Sequence, residues 1–91
     1  MNKAELAAAV AEETGLTKKD AERALTAALE AIEAALRVGD RVTLAGFGSF
    51  SARERAARRG RNPLTGQEID IPAARVPTFK AGKLFRDSLS A

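Results

Sequence analysis

Six arginines crowd one stretch of the chain, Arg53, Arg55, Arg58, Arg59, Arg61 and Arg75, with no lysine among them. A guanidinium is planar, permanently charged and weakly hydrated, so it forks onto phosphate oxygens and enters narrow, electronegative grooves. Arg53, Arg55, Arg59 and Arg61 share odd parity, which places them on one face of an unbulged strand. Gly60-Arg61-Asn62-Pro63-Leu64-Thr65-Gly66 follows, a run dense in turn residues. A proline at the tip of a two-stranded ribbon can wedge between base steps, and Pro63 stands at that place. The same residues fit a plainer reading, since proline shapes turns and arginine keeps exposed strands soluble.

Other chemistries have little to work with. Cysteine and histidine are absent, which removes disulfides, thiolate or imidazole metal ligands, Cys nucleophiles and imidazole bases. Ser49, Ser51 and Ser88 therefore have no imidazole partner. The carboxylate pairs Glu12-Glu13 and Glu30-Glu33 fall on helix surface rather than around a pocket. Gly46-Phe47-Gly48 lacks the later glycine and the following helix of a phosphate or dinucleotide loop. We expect no enzyme, no metal, no cofactor and no small-molecule substrate. No apolar run approaches the roughly 20 residues that span a bilayer. Met1-Asn2-Lys3-Ala4-Glu5 is not followed by a signal-peptide core, so the expected compartment is the cytoplasm.

Charge and periodicity divide the chain near Asp40. The first forty residues hold five basic and eight acidic residues, and the remainder hold ten and four. The net +3 thus conceals a basic second part, which points to an anionic partner, nucleic acid before membrane. Asn2 and Glu5 have capping-box spacing, Gly15 suits a helix C-terminus, and Thr17 with Asp20 opens a second helix. Ala21, Leu25, Ala28, Leu29, Ile32 and Leu36 give that helix an apolar stripe. Beyond Arg41 the period becomes two, through Val42 and Leu44, a turn at Ala45–Gly48, and Ser49 to Arg55. Ile69 and Ile71 mark a return strand, and Pro72 and Pro77 confine the next one to edge or interrupted pairing. Lys83 to Leu89 predicts a short closing helix. The expected fold class is α+β: a helical hairpin base, a three-stranded antiparallel sheet with a long protruding β-ribbon arm, and a short C-terminal helix. We read residues 1–91 as a single domain, with a helical dimerisation part at 1–40 and the sheet, arm and closing helix at 41–91. A helix-turn-helix reader is disfavoured, because Asp20, Glu22, Glu30 and Glu33 would meet phosphate from the second helix.

With the arm in solvent, roughly 70 residues remain for the body, too few for a comfortable core. The second helix and Phe47, Phe50 and Phe79 gain most from a second copy, so we expect an obligate dimer.

Gly46-Phe47-Gly48-Ser49-Phe50, the arginines Arg53, Arg55 and Arg58, and Gly60 to Gly66 together resemble the signature of the bacterial HU and integration host factor family. Ile71-Pro72-Ala73, Val76 to Lys83 and the opening hairpin with Thr17-Lys18-Lys19 are similar to it as well, so the likeness runs along essentially the whole chain. The resemblance implies an intertwined dimer whose two arms reach around duplex DNA in the minor groove, with Pro63 intercalating at each tip. It implies DNA contacts from Arg53, Arg55, Arg58, Arg61 and Asn62 on the arm, from Lys80 and Lys83 on the body, and from Lys3 and Lys18 at the flank, and the arm's basic composition adds Arg59 and Arg75 as expected contacts. The start of the last helix adds free backbone N–H groups for a phosphate. Phe47, Phe50 and Phe79 match the family's core and dimer aromatics, and the apolar spacing adds Leu29, Ile32, Leu36 and Leu44 to the expected core and dimer positions. Where family arms are often lysine-rich, this arm carries Ala56 and Ala57 outgoing and Gln67, Glu68 and Asp70 returning. The implied function is non-sequence-specific architectural binding and compaction of bent, nicked or flexible DNA by a nucleoid-associated homodimer. The alternatives are a sequence-preferring heterodimer subunit of the integration-host-factor kind, and a protein-binding module on the same fold.

Overall fold

The computed structural model describes residues 1–90; Ala91, the last residue of the expected domain, lies outside the described residues. These residues form two compact units, the first comprising residues 1–35 and the second beginning at Leu36.

The first unit holds α1 (Lys3–Thr14) and most of α2 (Lys18–Arg37). Asn2 Oδ1 accepts from the Glu5 N–H at 2.8 Å, satisfying one of the free donors of the first turn of α1. Gly15 closes α1 in the left-handed conformation and donates its N–H to the Ala11 carbonyl. Thr17 Oγ1 accepts from Asp20 N–H at 3.1 Å and opens α2. Both caps fall on the residues whose spacing foretold them. The covered apolar side chains are all alanines, Ala7, Ala11 and Ala21. Leu29 remains exposed and Ile32 half-buried on the apolar stripe of α2.

The second unit contains β1 (Val42–Leu44), β2 (Gly48–Arg55), β3 (Arg58–Arg61), β4 (Glu68–Ile71), β5 (Ala74–Ala81) and α3 (Lys83–Ser90). Strands β1, β2 and β5 make an antiparallel sheet in that order, and β3 pairs with β4. β5 is an edge strand, as Pro77 demands of a residue with no N–H to donate. The pairing runs Gly48↔Ala81 to Arg55↔Ala74 in the first sheet and Arg58↔Ile71 to Arg61↔Glu68 in the second. The numbers of each pair total 129 on both sides of the gap, so no residue is inserted or lost between the two sheets. The expected single long ribbon is therefore present, but divided. Ala56-Ala57 faces Pro72-Ala73 at the break, where Pro72 withholds a ladder hydrogen bond and the alanines have little to pack.

All four phenylalanines meet in the second unit. Phe79 pairs in register with Phe50, their ring centroids 4.8 Å apart. Phe47 lies 5.3 Å from Phe79 and stacks on Phe85 of α3 at 4.9 Å and 17°. Gly48 makes this possible. A Cβ there would sit 2.5 Å from the Lys80 carbonyl oxygen and 2.7 Å from the Phe79 ring. The Gly82 N–H donates to the Phe47 carbonyl at 2.8 Å, tying the start of α3 to the β1–β2 turn. Even so, Phe47 is 44% and Phe79 43% exposed, Leu44, Leu84 and Leu89 are exposed, and no large side chain is fully buried among the described residues.

Gly48→Ala should destabilise the fold by about 1–3 kcal/mol through overpacking against β5. Thermal unfolding should register a fall of about 4 °C or more, and an unshifted midpoint would show that the close approach is not required.

Candidate nucleic-acid interface

The arm grows out of the phenylalanine-anchored sheet by continuing two of its strands. Because residues directly opposite each other in an antiparallel pair share a face, the constant register sorts the arm's side chains. Arg53, Arg55, Arg59 and Arg61 lie on one face, with Val76, Ala74, Asp70 and Glu68 opposite them in turn. Arg58 belongs to the other face and is paired with Ile71. That second face is narrow near the tip, where a Cβ on Gly60 would come within 2.9 Å of Ile71 Cδ1. The parity read from the sequence thus holds across the break at Ala56-Ala57.

The tip is a tightly hydrogen-bonded turn. Asn62 N–H donates to the Gln67 carbonyl at 2.8 Å, and Gly66 N–H donates to the Asn62 carbonyl at 2.8 Å. Asn62 Oδ1 accepts from Leu64 N–H at 2.9 Å, and Thr65 Oγ1 accepts from Gln67 N–H at 3.3 Å. Gly66 has φ +72°, a conformation that a side chain disfavours, which is why glycine closes the turn. Asn62 therefore spends its carbonyl oxygen on shaping the turn, a role the sequence reading had not separated from DNA contact. Pro63 sits at the apex beside Leu64, which is 94% exposed. Leu64 went unremarked in the sequence, although an apolar residue between Pro63 and Thr65 was a readable signal.

The arginines are not equivalent. Arg59 Nη1 bonds Glu68 Oε2 at 2.9 Å, and its Nε lies 3.5 Å from Asp70 Oδ1. Arg75 Nε is 3.6 Å from Glu54 Oε1, and Arg75 Nη1 donates to the Arg37 backbone carbonyl. Arg53, Arg55, Arg58 and Arg61 have no ion pair among the described residues and keep their full donor sets for a ligand. Lys80 faces Ser49 near the far end of β5, and Lys83 opens α3. From Lys80 back to Glu68 the strand contour is roughly 40 Å at about 3.3 Å per residue, comparable to one turn of duplex DNA. Lys3 and Lys18 each begin a helix of the first unit and are exposed.

Of the expected core positions, Phe47, Phe50 and Phe79 come together in the second unit, and Phe85, read from the sequence only as part of the closing helix, completes the cluster. Its helical spacing with Leu89 was the available clue. Leu36 is half-buried and Leu44 exposed. Glu12, Glu13, Glu30 and Glu33 are exposed on their helices. Among the described residues no group of acidic, histidine or cysteine side chains could hold a metal ion, and no helix is long and apolar enough to cross a membrane.

The chain is similar to known proteins over nearly its whole length. DNA-binding protein HU of a Nostoc species is 60% identical over 90 residues, covering 99% of this chain and 96% of that protein. DNA-binding protein HU of Geobacillus stearothermophilus is 58% identical, with 98% of this chain and 99% of that protein covered. Among solved structures, Anabaena HU cocrystallised with DNA superposes with a TM-score of 0.90 at 60% identity, covering 99% of this chain and 98% of that one. HU from Thermotoga maritima gives a TM-score of 0.69 at 32% identity, with 98% of each chain covered. The bacterial DNA-binding protein family matches residues 1–90, and the chain belongs to that family.

Proposed function

We propose that this chain is an architectural, non-sequence-specific DNA-binding protein that bends duplex DNA with a pair of minor-groove arms. It is not an enzyme. The observation that carries the reading is the constant register kept on both sides of the break, which makes the arm an arginine-faced ribbon that extends the phenylalanine-anchored sheet to an apolar tip. Such a ribbon follows a groove, and its phosphate contacts hold position without reading sequence. Arg53, Arg55, Arg58 and Arg61 are the arm's ionic contacts in this account. Lys80, Lys83 and the first turn of α3 take phosphates at the body, with Lys3 and Lys18 as outlying contacts. At the tip, Pro63 enters a base step and Leu64 adds apolar surface to the wedge. A wedge of this kind unstacks one step and kinks the duplex, so DNA that is already bent, nicked or flexible is preferred. The minor groove distinguishes mainly A·T from G·C, in keeping with weak sequence preference.

The acting unit is a homodimer. A lone chain leaves the faces of its phenylalanines, together with Leu29, Leu44, Leu84 and Leu89, open to water, and a second copy is the economical cover for them. The two compact units then act as one domain, the helices serving dimerisation and the sheet and arm serving DNA. Cytoplasmic work on the nucleoid follows from the ligand.

Four unpaired arm arginines per chain make eight per dimer. Neutralising one phosphate with each contributes about −7 to the slope of log K against log salt, to which the body lysines add. Arg55→Ala or Arg61→Ala should each flatten that slope by about 0.9 per lost contact, hence by about 1.8 per dimer. An unaltered slope, measured by titration at several salt concentrations, would strike the residue from the phosphate contacts.

Pro63→Ala should leave folding and salt slope intact while reducing the bend. The rate at which ligase closes a short duplex into a circle reports this directly. Equal acceleration by the variant and the unsubstituted protein would rule out the wedge.

A further inference from the structure

We propose that Glu68 and Asp70 hold Arg59 away from DNA phosphates, so that the arm carries an intramolecular limit on its own affinity. This inference rests on the arm-and-groove reading above and goes beyond it by separating one arginine from the rest. Arg59 faces Asp70 directly across the ribbon, and Glu68 follows two residues along the same strand on the same face. One guanidinium thus spans two carboxylates, at 2.9 Å and 3.5 Å. The triad has a net charge of −1, set into a face that otherwise presents only cationic and apolar side chains.

The electrostatic consequence follows from the company the carboxylates would keep. A phosphate that draws Arg59 away leaves Glu68 and Asp70 uncompensated beside a polyanion. The gain at one phosphate is offset by repulsion from two acids on the same face. Arg59 therefore stays with its carboxylates and screens them, while Arg53 and Arg55, opposite Val76 and Ala74, have no such competitor. The arm becomes graded, strongly cationic near the sheet and close to neutral toward the tip, where Pro63 and Leu64 act without charge. Affinity is capped at the position where the wedge must engage and release a base step.

The groups are open to water, with side chains 74% exposed for Arg59, 59% for Glu68 and 87% for Asp70. Exposed pairs of this kind contribute little to folding, so their removal tests binding rather than stability. The experiment compares the unsubstituted full-length protein with E68Q/D70N and with R59Q/E68Q/D70N on one intact duplex. Affinity is measured across a fourfold range of salt, and thermal midpoints verify that all three proteins fold alike. Freeing Arg59 on both arms of the dimer should steepen the slope by about 1.8 in E68Q/D70N. A fourfold rise in salt then costs that variant about tenfold more affinity than it costs the unsubstituted protein. In R59Q/E68Q/D70N the added steepness should disappear.

An unchanged slope in E68Q/D70N would overturn the proposal. So would a steeper slope that persists in R59Q/E68Q/D70N, because the acids would then act by repelling DNA and not through Arg59. Failure of the unsubstituted protein to bind duplex at all would instead remove the DNA-clamping reading on which the proposal stands.

Discussion

At Gly48 the backbone of β2 lies so near Lys80 and Phe79 of β5 that no side chain fits between the strands. This contact seats the Phe79 ring against Phe50 on one side and Phe47 on the other, and Phe47 in turn stacks on Phe85 of α3. The register of the β2–β5 pair is fixed there, because a one-residue slip would turn every side chain to the opposite face. The same register is carried past Ala56-Ala57 and Pro72-Ala73 into the arm. Which side chains share a face along the arm is accordingly decided at the phenylalanines. The cluster is also unfinished in one chain, since Phe47 and Phe79 remain nearly half-exposed. One apolar site thus ties together the sheet, the aim of the arm and the need for a second copy.

Charge is distributed along the arm to a different end. If every arginine were free, the ribbon would be a uniform polycation whose grip depended on salt throughout. Instead Arg59 and Arg75 are engaged by carboxylates, and Arg53, Arg55, Arg58 and Arg61 are the arginines proposed to supply the ionic contacts. The tip works by shape and apolar surface. Its hydrogen bonds around Asn62 and Gly66 hold Pro63 outward without help from charge. In the proposed mode, separating attraction along the strands from deformation at the tip would let the protein remain on DNA while base steps are engaged and released.

Much of this was legible in the residues. Both helix caps, the edge position forced by Pro77 and the parity of the arm arginines follow from local rules whose causes lie within a few residues. The family resemblance added what local rules left open, implying that the two arms of the dimer reach around DNA and favouring a wedge over a plain turn for Pro63. Three features escaped because they depend on residues distant in sequence. The break in the ribbon requires Ala56-Ala57 and Pro72-Ala73 to face each other. The joining of Phe85 to the aromatic cluster requires α3 to fold back onto the β1–β2 turn. The capture of Arg59 requires the register that places Asp70 opposite it. Six arginines read as six contacts in one dimension, and only the fold distinguishes those already engaged.

The central claim is that the arms grip and bend DNA, and a doubly labelled short duplex tests it most directly. Titrated with the unsubstituted protein at two salt concentrations, a fluorophore at each end reports affinity and end-to-end energy transfer together. The account predicts salt-sensitive binding accompanied by a rise in transfer as the ends approach. Binding with no change in transfer would contradict bending, and absence of binding at low salt would contradict the assignment of the arm to DNA.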